Sequence, residues 1–522
     1  MRLFVKVSLL VILLGMFMFD VGMAANQDGE LVVALSEGPD NLDPQYSGGP
    51  SMRIWTNIYE ALLVKDADGN LKPALAESWE TIDNKHWRFN IRKGVKFHSG
   101  RDLNAKAVKD SFDRYNNPDD PHFNYSVTNW IKDVKVIDDY TIIIESFVPF
   151  SPALDWLSTT QSCVVVDVEA VKEYGDLREN PVGTGPFELD KWEVGRFVRL
   201  RRNENYWGQK PDIKYLTFEI IPEESTRMVA FLAGDVDLVW DVTDNFLPKL
   251  KSDPTVDITS IDSLRINTLE LNFLKPIIKN NPSLRKAISL AIDTDTIVKQ
   301  IIGMRGSTAD SVVLDVSHGY FPQNFIEYDP KKAVELLNKA GWIKGSDGYL
   351  QRDGKRLELD FVVNWERDYR NREVAEAIQG YLEEIGIKIN LQLVQYATYV
   401  DIVISKGEQD MDIMGWGVPT NEFYWAVKAR FHSNTQALGD WGTTRNMDPK
   451  LDEMIDSGLS AKTEEELSQI FKDVQLYIYE NTICIPLYYV KNVSAKRNYV
   501  KGITFHPNVW HPYIYNNVSI DK

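Results

Sequence analysis

The residues in this 522-residue sequence whose types suit chemistry are paired acids, dispersed histidines and one glycine-rich turn. Asp235/Asp237 and Asp410/Asp412 are carboxylate pairs of the kind that glycoside hydrolysis uses as acid and base. An i, i+2 spacing is also what a solvent-facing strand edge looks like, and that plainer reading is the expected one. The seven histidines (86, 98, 122, 318, 432, 506 and 511) are scattered. Only His506 and His511 are neighbours, and Pro507 and Pro512 keep them off one helix face. Zinc needs three or four convergent ligands, so no metal site is expected. Gly183-Thr184-Gly185-Pro186-Phe187 lacks the third glycine of a dinucleotide fingerprint, and a strand-like stretch follows it. A phosphate cradle needs the aligned N–H groups of a helix start, so a tight turn is expected here instead. There is no Gly-x-Ser-x-Gly, His-Glu-x-x-His, Walker loop or Cys-x-x-Cys. No residue is assigned a catalytic role.

The surrounding chain is ordinary globular protein: 43% apolar, 26% charged, with 31 Gly and 23 Pro. A net charge of −18 argues against a nucleic-acid coat or a lipid-surface protein. With 14 Trp, 23 Tyr and 22 Phe, rings are more plentiful than a core needs, a hint of an aromatic-lined site. Residues 1–24 read as an export signal. Arg2 and Lys6 supply positive charge, residues 7–19 are apolar apart from Ser8 and Gly15, and Gly22-Met23-Ala24 offers small residues for cleavage. That apolar run is roughly 20 Å as a helix, short of the ~30 Å hydrocarbon core. No Cys follows the cut, so a lipoprotein is not expected, and Cys163 and Cys484 read as two separate buried thiols.

Strands and helices alternate. Asn281-Pro282 is a helix start, with Leu284, Ala287, Ile288, Ala291 and Ile292 on one buried face. Asp329-Pro330 repeats the signal, and Gly341 stops that helix. Residues 374–385 form an amphipathic helix closed by Gly386, followed by a strand in which Ile387, Ile389, Leu391 and Leu393 alternate with polar residues. A helix near 397–406 and a short strand at 411–414 come next. Section 70–220 is richer in β segments. The expected architecture is α/β with a more β-rich insertion.

Several segments, taken in order, resemble one family: the extracytoplasmic solute-binding proteins of peptide-type ABC importers (family 5; dipeptide, oligopeptide, glutathione and nickel binders). They include Asn41-Leu42-Asp43-Pro44, Asn57 to Leu62, Leu71 to Trp79 and Val95-Lys96-Phe97-His98-Ser99-Gly100. Gly183 to Phe187, Asn205-Tyr206-Trp207, Gly234-Asp235-Val236-Asp237, Tyr328-Asp329-Pro330, Ala340-Gly341-Trp342 and Gly415-Trp416 continue the series. The resemblance implies a two-lobed periplasmic-binding-protein-like fold of the class II type, with an extra α/β domain inserted in the first lobe. On that basis residues 25–68, 187–272 and 488–522 make lobe I, 69–186 the inserted domain and 273–487 lobe II. Apolar segments 269–273 and 485–490 stand where crossovers between lobes belong.

The resemblance further implies a periplasmic, monomeric carrier that traps a small peptide-like ligand and hands it to the membrane permease subunits. It implies no cofactor, no nucleic acid and no membrane insertion once the signal is removed. In peptide binders an acidic residue after the Gly-Trp strand faces the ligand amine, and the loop here resembles the glutathione type, making Glu422 that acid. As a residue at a helix start, Glu422 equally favours the N-terminal dipole. Trp416 offers a flat wall and one N–H donor. Arg367, beside Trp365, resembles the arginine that takes a ligand carboxylate, though a solvated helix start is the commoner fate of such a side chain. Tyr46 would line the opposite wall, with Trp425, Trp441 and Arg445 as further ligand-binding candidates. A metal chelate, haem or an opine as cargo, or an exported hydrolase, remain alternatives.

Overall fold

The computed structural model describes residues 29–46, 49–66, 70–117, 128, 130–158, 163–317, 319–323, 325, 327–366, 368–418, 423–461, 463–505 and 513–521. The export-signal segment, His122, His318, His506 and His511 lie outside them.

An eleven-stranded sheet runs through both lobes of the two-lobed α/β fold. On one side stand Phe187–Glu193, Phe197–Arg202, Tyr215–Ile220, Glu30–Leu35 and Leu238–Val239. On the other stand Met411–Gly417, Glu358–Asn364 and Lys388–Val394. Glu30–Leu35 is parallel to both its neighbours, and Glu358–Asn364 is parallel to both of its own. These are the βαβ halves that the strand–helix alternation predicts. Between them lie two long antiparallel strands, Val256–Leu271 and Cys484–Arg497, paired from Val256↔Arg497 to Glu270↔Cys484. The register slips between Asp262 and Ile266, where Ser263, Leu264 and Arg265 stand opposite the single Val490. A bulge of this kind twists a strand and re-aims a side chain.

The helix starts obey the punctuation. Asp329 accepts from the Lys332 N–H at 2.9 Å to cap Pro330–Lys339. Pro282–Ala291 buries Leu284, Ala287, Ile288 and Ala291 as its periodicity requires. Asn281, however, caps nothing; its amide donates backward to the Ile277 carbonyl. The 397–406 segment is a short helix, Tyr396–Tyr399, that widens into a π-helical stretch, Val400–Lys406. The 411–414 strand runs on to Gly417.

The insertion contains a separate antiparallel sheet in the order Ala76–Asp83, His86–Ile91, Thr141–Ser146, Ile131–Asp138, with helix Ala105–Tyr115 packed on it. An aromatic chain leaves this unit: Trp130 stacks on Phe150, which meets Trp156 edge-on, and Trp156 meets Trp425 at 5.4 Å.

Gly183 and Gly185 are not a free turn. A Cβ on Gly183 would sit 2.1 Å from the Ile58 carbonyl oxygen, and one on Gly185 2.7 Å from the Asn57 oxygen. Two backbones meet here, with the Gly185 N–H donating to Ile58 O at 2.9 Å. His98 clasps the same stretch, its Nδ1 accepting from the Gly183 N–H and its Nε2 at 3.0 Å from Gly185 O. Burial holds the His98 pKa below its ordinary value, which keeps the ring neutral and able to play both parts. Gly183→Ala therefore forces backbone against backbone, and we expect it to cost about 1–3 kcal/mol or more in urea denaturation.

Candidate functional site

A cavity of about 450 Å³ opens where the two long strands cross between the halves of the sheet. Its walls come from the loop after Glu30–Leu35, the helix Met52–Trp55, both long strands, and residues 302–305 and 368–369. Three arginines line it: Arg53, Arg265 and Arg305. The acids are Asp241 and Asp368 inside and Glu37 at the exposed mouth. Tyr369, Tyr488, Asn267 and Asn492 add polar atoms, leaving Pro50, Ile302 and Val490 as the apolar portion.

Each arginine is held by a different device. Arg265 rises from the bulge and donates to Asp368 Oδ1 at 2.5 Å. Gly415, its neighbour on Met411–Gly417, gives it room; a Cβ there would lie 2.3 Å from the Arg265 guanidinium. Arg53 lies over the Trp240 ring at 4.7 Å, and Arg305 over the Tyr369 ring at 4.6 Å. Both face Asp241, from 3.8 and 3.7 Å. Asp241 itself has φ 57°, a left-handed backbone that Asp and Asn tolerate better than most residues. The Nε atoms of all three arginines are buried without a hydrogen-bond partner among the described residues. The same holds for Asn267 Oδ1 and Asn492 Nδ2.

Behind the cavity, Glu270 and Asp412 face each other across the paired strands. Glu270 accepts from Thr268 Oγ1 at 2.6 Å and from the Trp416 indole at 3.1 Å, with Arg430 at 3.5 Å. Asp412 accepts from Tyr399 Oη at 2.7 Å and Gln409 Nε2 at 3.1 Å. Burial, reinforced by the nearby Glu270, raises the Asp412 pKa to about 7.

The residues anticipated from sequence are dispersed. Arg367 and Glu422 lie outside the described residues. Trp416 is half-buried, its indole N–H is committed to Glu270, and it packs beside Tyr489 and Met414, away from the cavity lining. Trp365 is exposed and its ring meets Arg372. Trp425 is spent on the contact with Trp156. Tyr46 lies between Arg114 and Arg178, in a separate surface depression. Trp441 is exposed on the loop that Arg445 anchors.

Arg445 does not line a rim. It is 1% exposed and donates to five carbonyls, those of Gln436, Ala437, Asp440, Val403 and Ile404. It ties the 436–440 segment to the π-helical stretch Val400–Lys406. The acid pairs fit the solvent-edge reading in one member each, Asp235 being exposed and Asp410 half-buried, and depart from it in the other. Asp237 is buried, accepting from the Val32 N–H and Tyr499 Oη, and Asp412 is buried as described above. Both cysteines are free and buried, as expected. Among the described residues no three His, Cys, Asp or Glu converge on a metal position.

The cavity arginines carried no motif. Arg265 and Asn267 sit in Leu264 to Leu271, where polar and apolar residues mix as in any amphipathic strand. Arg53, Asp241 and Arg305 are single residues in unrelated segments.

A two-lobed sheet with a polar cavity at the crossing of its long strands is the form of a solute-binding protein. The sequence model described as "Bacterial extracellular solute-binding proteins, family 5 Middle" matches residues 70–437, and the chain belongs to that family. It is 26% identical over 491 residues to the glutathione-binding protein GsiB of Salmonella choleraesuis (strain SC-B67), covering 92% of each chain. The periplasmic binding protein DppA of Helicobacter pylori, in complex with peptide STSA, superposes with a TM-score of 0.76 at 25% identity, over 95% of this chain and 98% of that one. NikA of Brucella suis, in complex with Fe(III)-EDTA, gives 0.84 at 25% identity, over 94% and 100%. These relatives are solute-binding proteins rather than enzymes. Among the described residues no helix is long and apolar enough to cross a membrane.

Proposed function

We propose that this protein captures a small peptide or peptide-like solute between its lobes and delivers it, unaltered, to the membrane permease of an ABC importer. One observation carries the reading: a polar cavity of about 450 Å³ at the strand crossing, with walls drawn from segments on both sides of it. Family membership and the peptide- and glutathione-binding relatives support it. The lobe division is 25–68, 187–272 and 488–522 against 273–487, with 69–186 inserted; the sheet order supports the separation of 187–272 from 273–487, while strands Glu60–Ala61 and Leu63–Lys65 pair across the 68/69 boundary. Export to the periplasm rests on residues 1–24 read as a cleaved signal. The chain acts as a monomer, and no bond is made or broken. The hydrolase alternative draws no support from relatives that are binding proteins.

Closure about the crossing strands would bury the ligand and create a surface that the permease distinguishes from the open form. The test is mass spectrometry of whatever solute is released when unwashed protein from its native host is denatured. Recovery of an intact peptide or peptide conjugate is the expected result; recovery only of a non-peptide solute overturns the reading.

Glu422 stands as the proposed anchor for the ligand amine, with Arg367 for a carboxylate. Glu422→Gln is expected to weaken a zwitterionic ligand about tenfold in calorimetry, or about 1.4 kcal/mol. Unchanged affinity removes Glu422 from the site.

A further inference from the structure

We infer that the cargo is anionic, carrying at least two carboxylate groups, and that Arg53, Arg265 and Arg305 receive them. This rests on solute capture in the cavity, as proposed above, and narrows the class of solute.

A guanidinium offers five N–H donors in a flat fork, suited to a carboxylate edge. Three such forks line one cavity, and in each the buried Nε finds no acceptor among the described residues. Arg430 and Arg445 carry the same buried Nε elsewhere in the fold, so what distinguishes the cavity is the gathering of three cations around one space, where they favour a carboxylate-bearing solute. Arg53 lies over the Trp240 ring and Arg305 over the Tyr369 ring, contacts that hold each guanidinium at the cavity wall.

The acids present do not satisfy these forks. Asp368 is taken by Arg265. Asp241 stands 3.8 and 3.7 Å from Arg53 and Arg305, beyond the length of a good hydrogen bond. Glu37 is exposed at the mouth. Among the described residues the interior therefore holds three cations against two carboxylates, one already engaged and the other loosely shared. Two carboxylates from a ligand would complete the coordination. Few apolar side chains line the space, so a solute that binds mainly by apolar side chains is poorly served.

The test compares Ala-Glu-Ala with Ala-Gln-Ala by calorimetry on the mature chain, since the two differ by one carboxylate at equal size. The glutamate peptide is expected to bind at least tenfold more tightly, and Arg305→Gln or Arg53→Gln to bring the ratio close to one. Equal or tighter binding of Ala-Gln-Ala by the unmodified protein overturns the inference while leaving peptide capture intact. Should neither peptide bind, citrate serves as the third probe. Citrate binding then retains the anion assignment and overturns the peptide reading, whereas no heat from any of the three overturns both.

Discussion

Arg430→Met is expected to destabilise the protein by about 3–5 kcal/mol toward urea, because it strands a buried carboxylate. Arg430 and Glu270 are each 2% exposed on their side chains. Besides facing Glu270, the guanidinium donates to the Val312 carbonyl at 2.7 Å and to Thr268 Oγ1 at 3.3 Å. Helix Phe423–Phe431 is thereby tied to the long strand Val256–Leu271, close to the crossing between lobes. Removing the cation leaves Glu270 facing Asp412 with, among the described residues, the Thr268 hydroxyl and the Trp416 indole as its side-chain donors. The double variant Arg430→Met/Glu270→Gln removes the uncompensated charge, so it should recover a large part of the loss. If the double variant proves no more stable than the single one, packing of the long side chain, not charge, is what Arg430 contributes.

The contrast between what was legible in the sequence and what was not follows from this kind of residue. Pro282–Ala291, Pro330–Lys339 and the strand at Lys388–Val394 announce themselves because periodicity and caps are local properties. The order of family-like segments likewise carries the whole fold. Arg445 illustrates the opposite case. In sequence it is an arginine on a polar loop, indistinguishable from a ligand-facing one. In the fold it donates to five carbonyls drawn from two segments far apart in the chain, a convergence that no local pattern reports. Gly183 and Gly185 suggested a turn, because glycine at a close crossing of backbones leaves the same trace as glycine in a turn.

The cavity follows the same logic at larger scale. Arg53, Asp241, Arg265, Arg305 and Asp368 come from five segments, and only the sheet order brings them together. The aromatic excess pointed toward a ring-lined site, but much of it serves other ends. Trp156 and Trp425 join the insertion to helix Phe423–Phe431, while Trp240 and Tyr369 support cations. Rings in this protein position guanidinium groups at the cavity, and the polar groups face the space itself.

Asp412→Asn should raise stability strongly at pH 8 and much less at pH 5. The buried carboxyl has its pKa raised from the ordinary 3.8 to about 7 by desolvation first and by Glu270 second. A group raised in the folded state contributes fully below its unfolded pKa, and that contribution is lost as pH climbs through the folded value. For Asp412 the window runs from about pH 4 to pH 7, and the difference corresponds to about 4 kcal/mol. Asparagine is neutral throughout and escapes the loss. Its amide fits the site because Gln409 Oε1 is buried without a partner among the described residues, so a turn of the Gln409 amide supplies the missing acceptor. The Tyr399 hydroxyl can still donate to the Asn oxygen. The bond from Tyr399 to the ionised form is already contained in the raised pKa, so the gain at pH 8 approaches those ~4 kcal/mol. Urea midpoints of both proteins at pH 5, 6.5 and 8 decide it. Comparison at matched pH cancels the titration of His98 and the other groups that the two share. If the two midpoints fall in parallel from pH 5 to pH 8, Asp412 is ionised throughout in the folded protein, and the Glu270–Asp412 contact is a pair of charges that Arg430 suffices to hold.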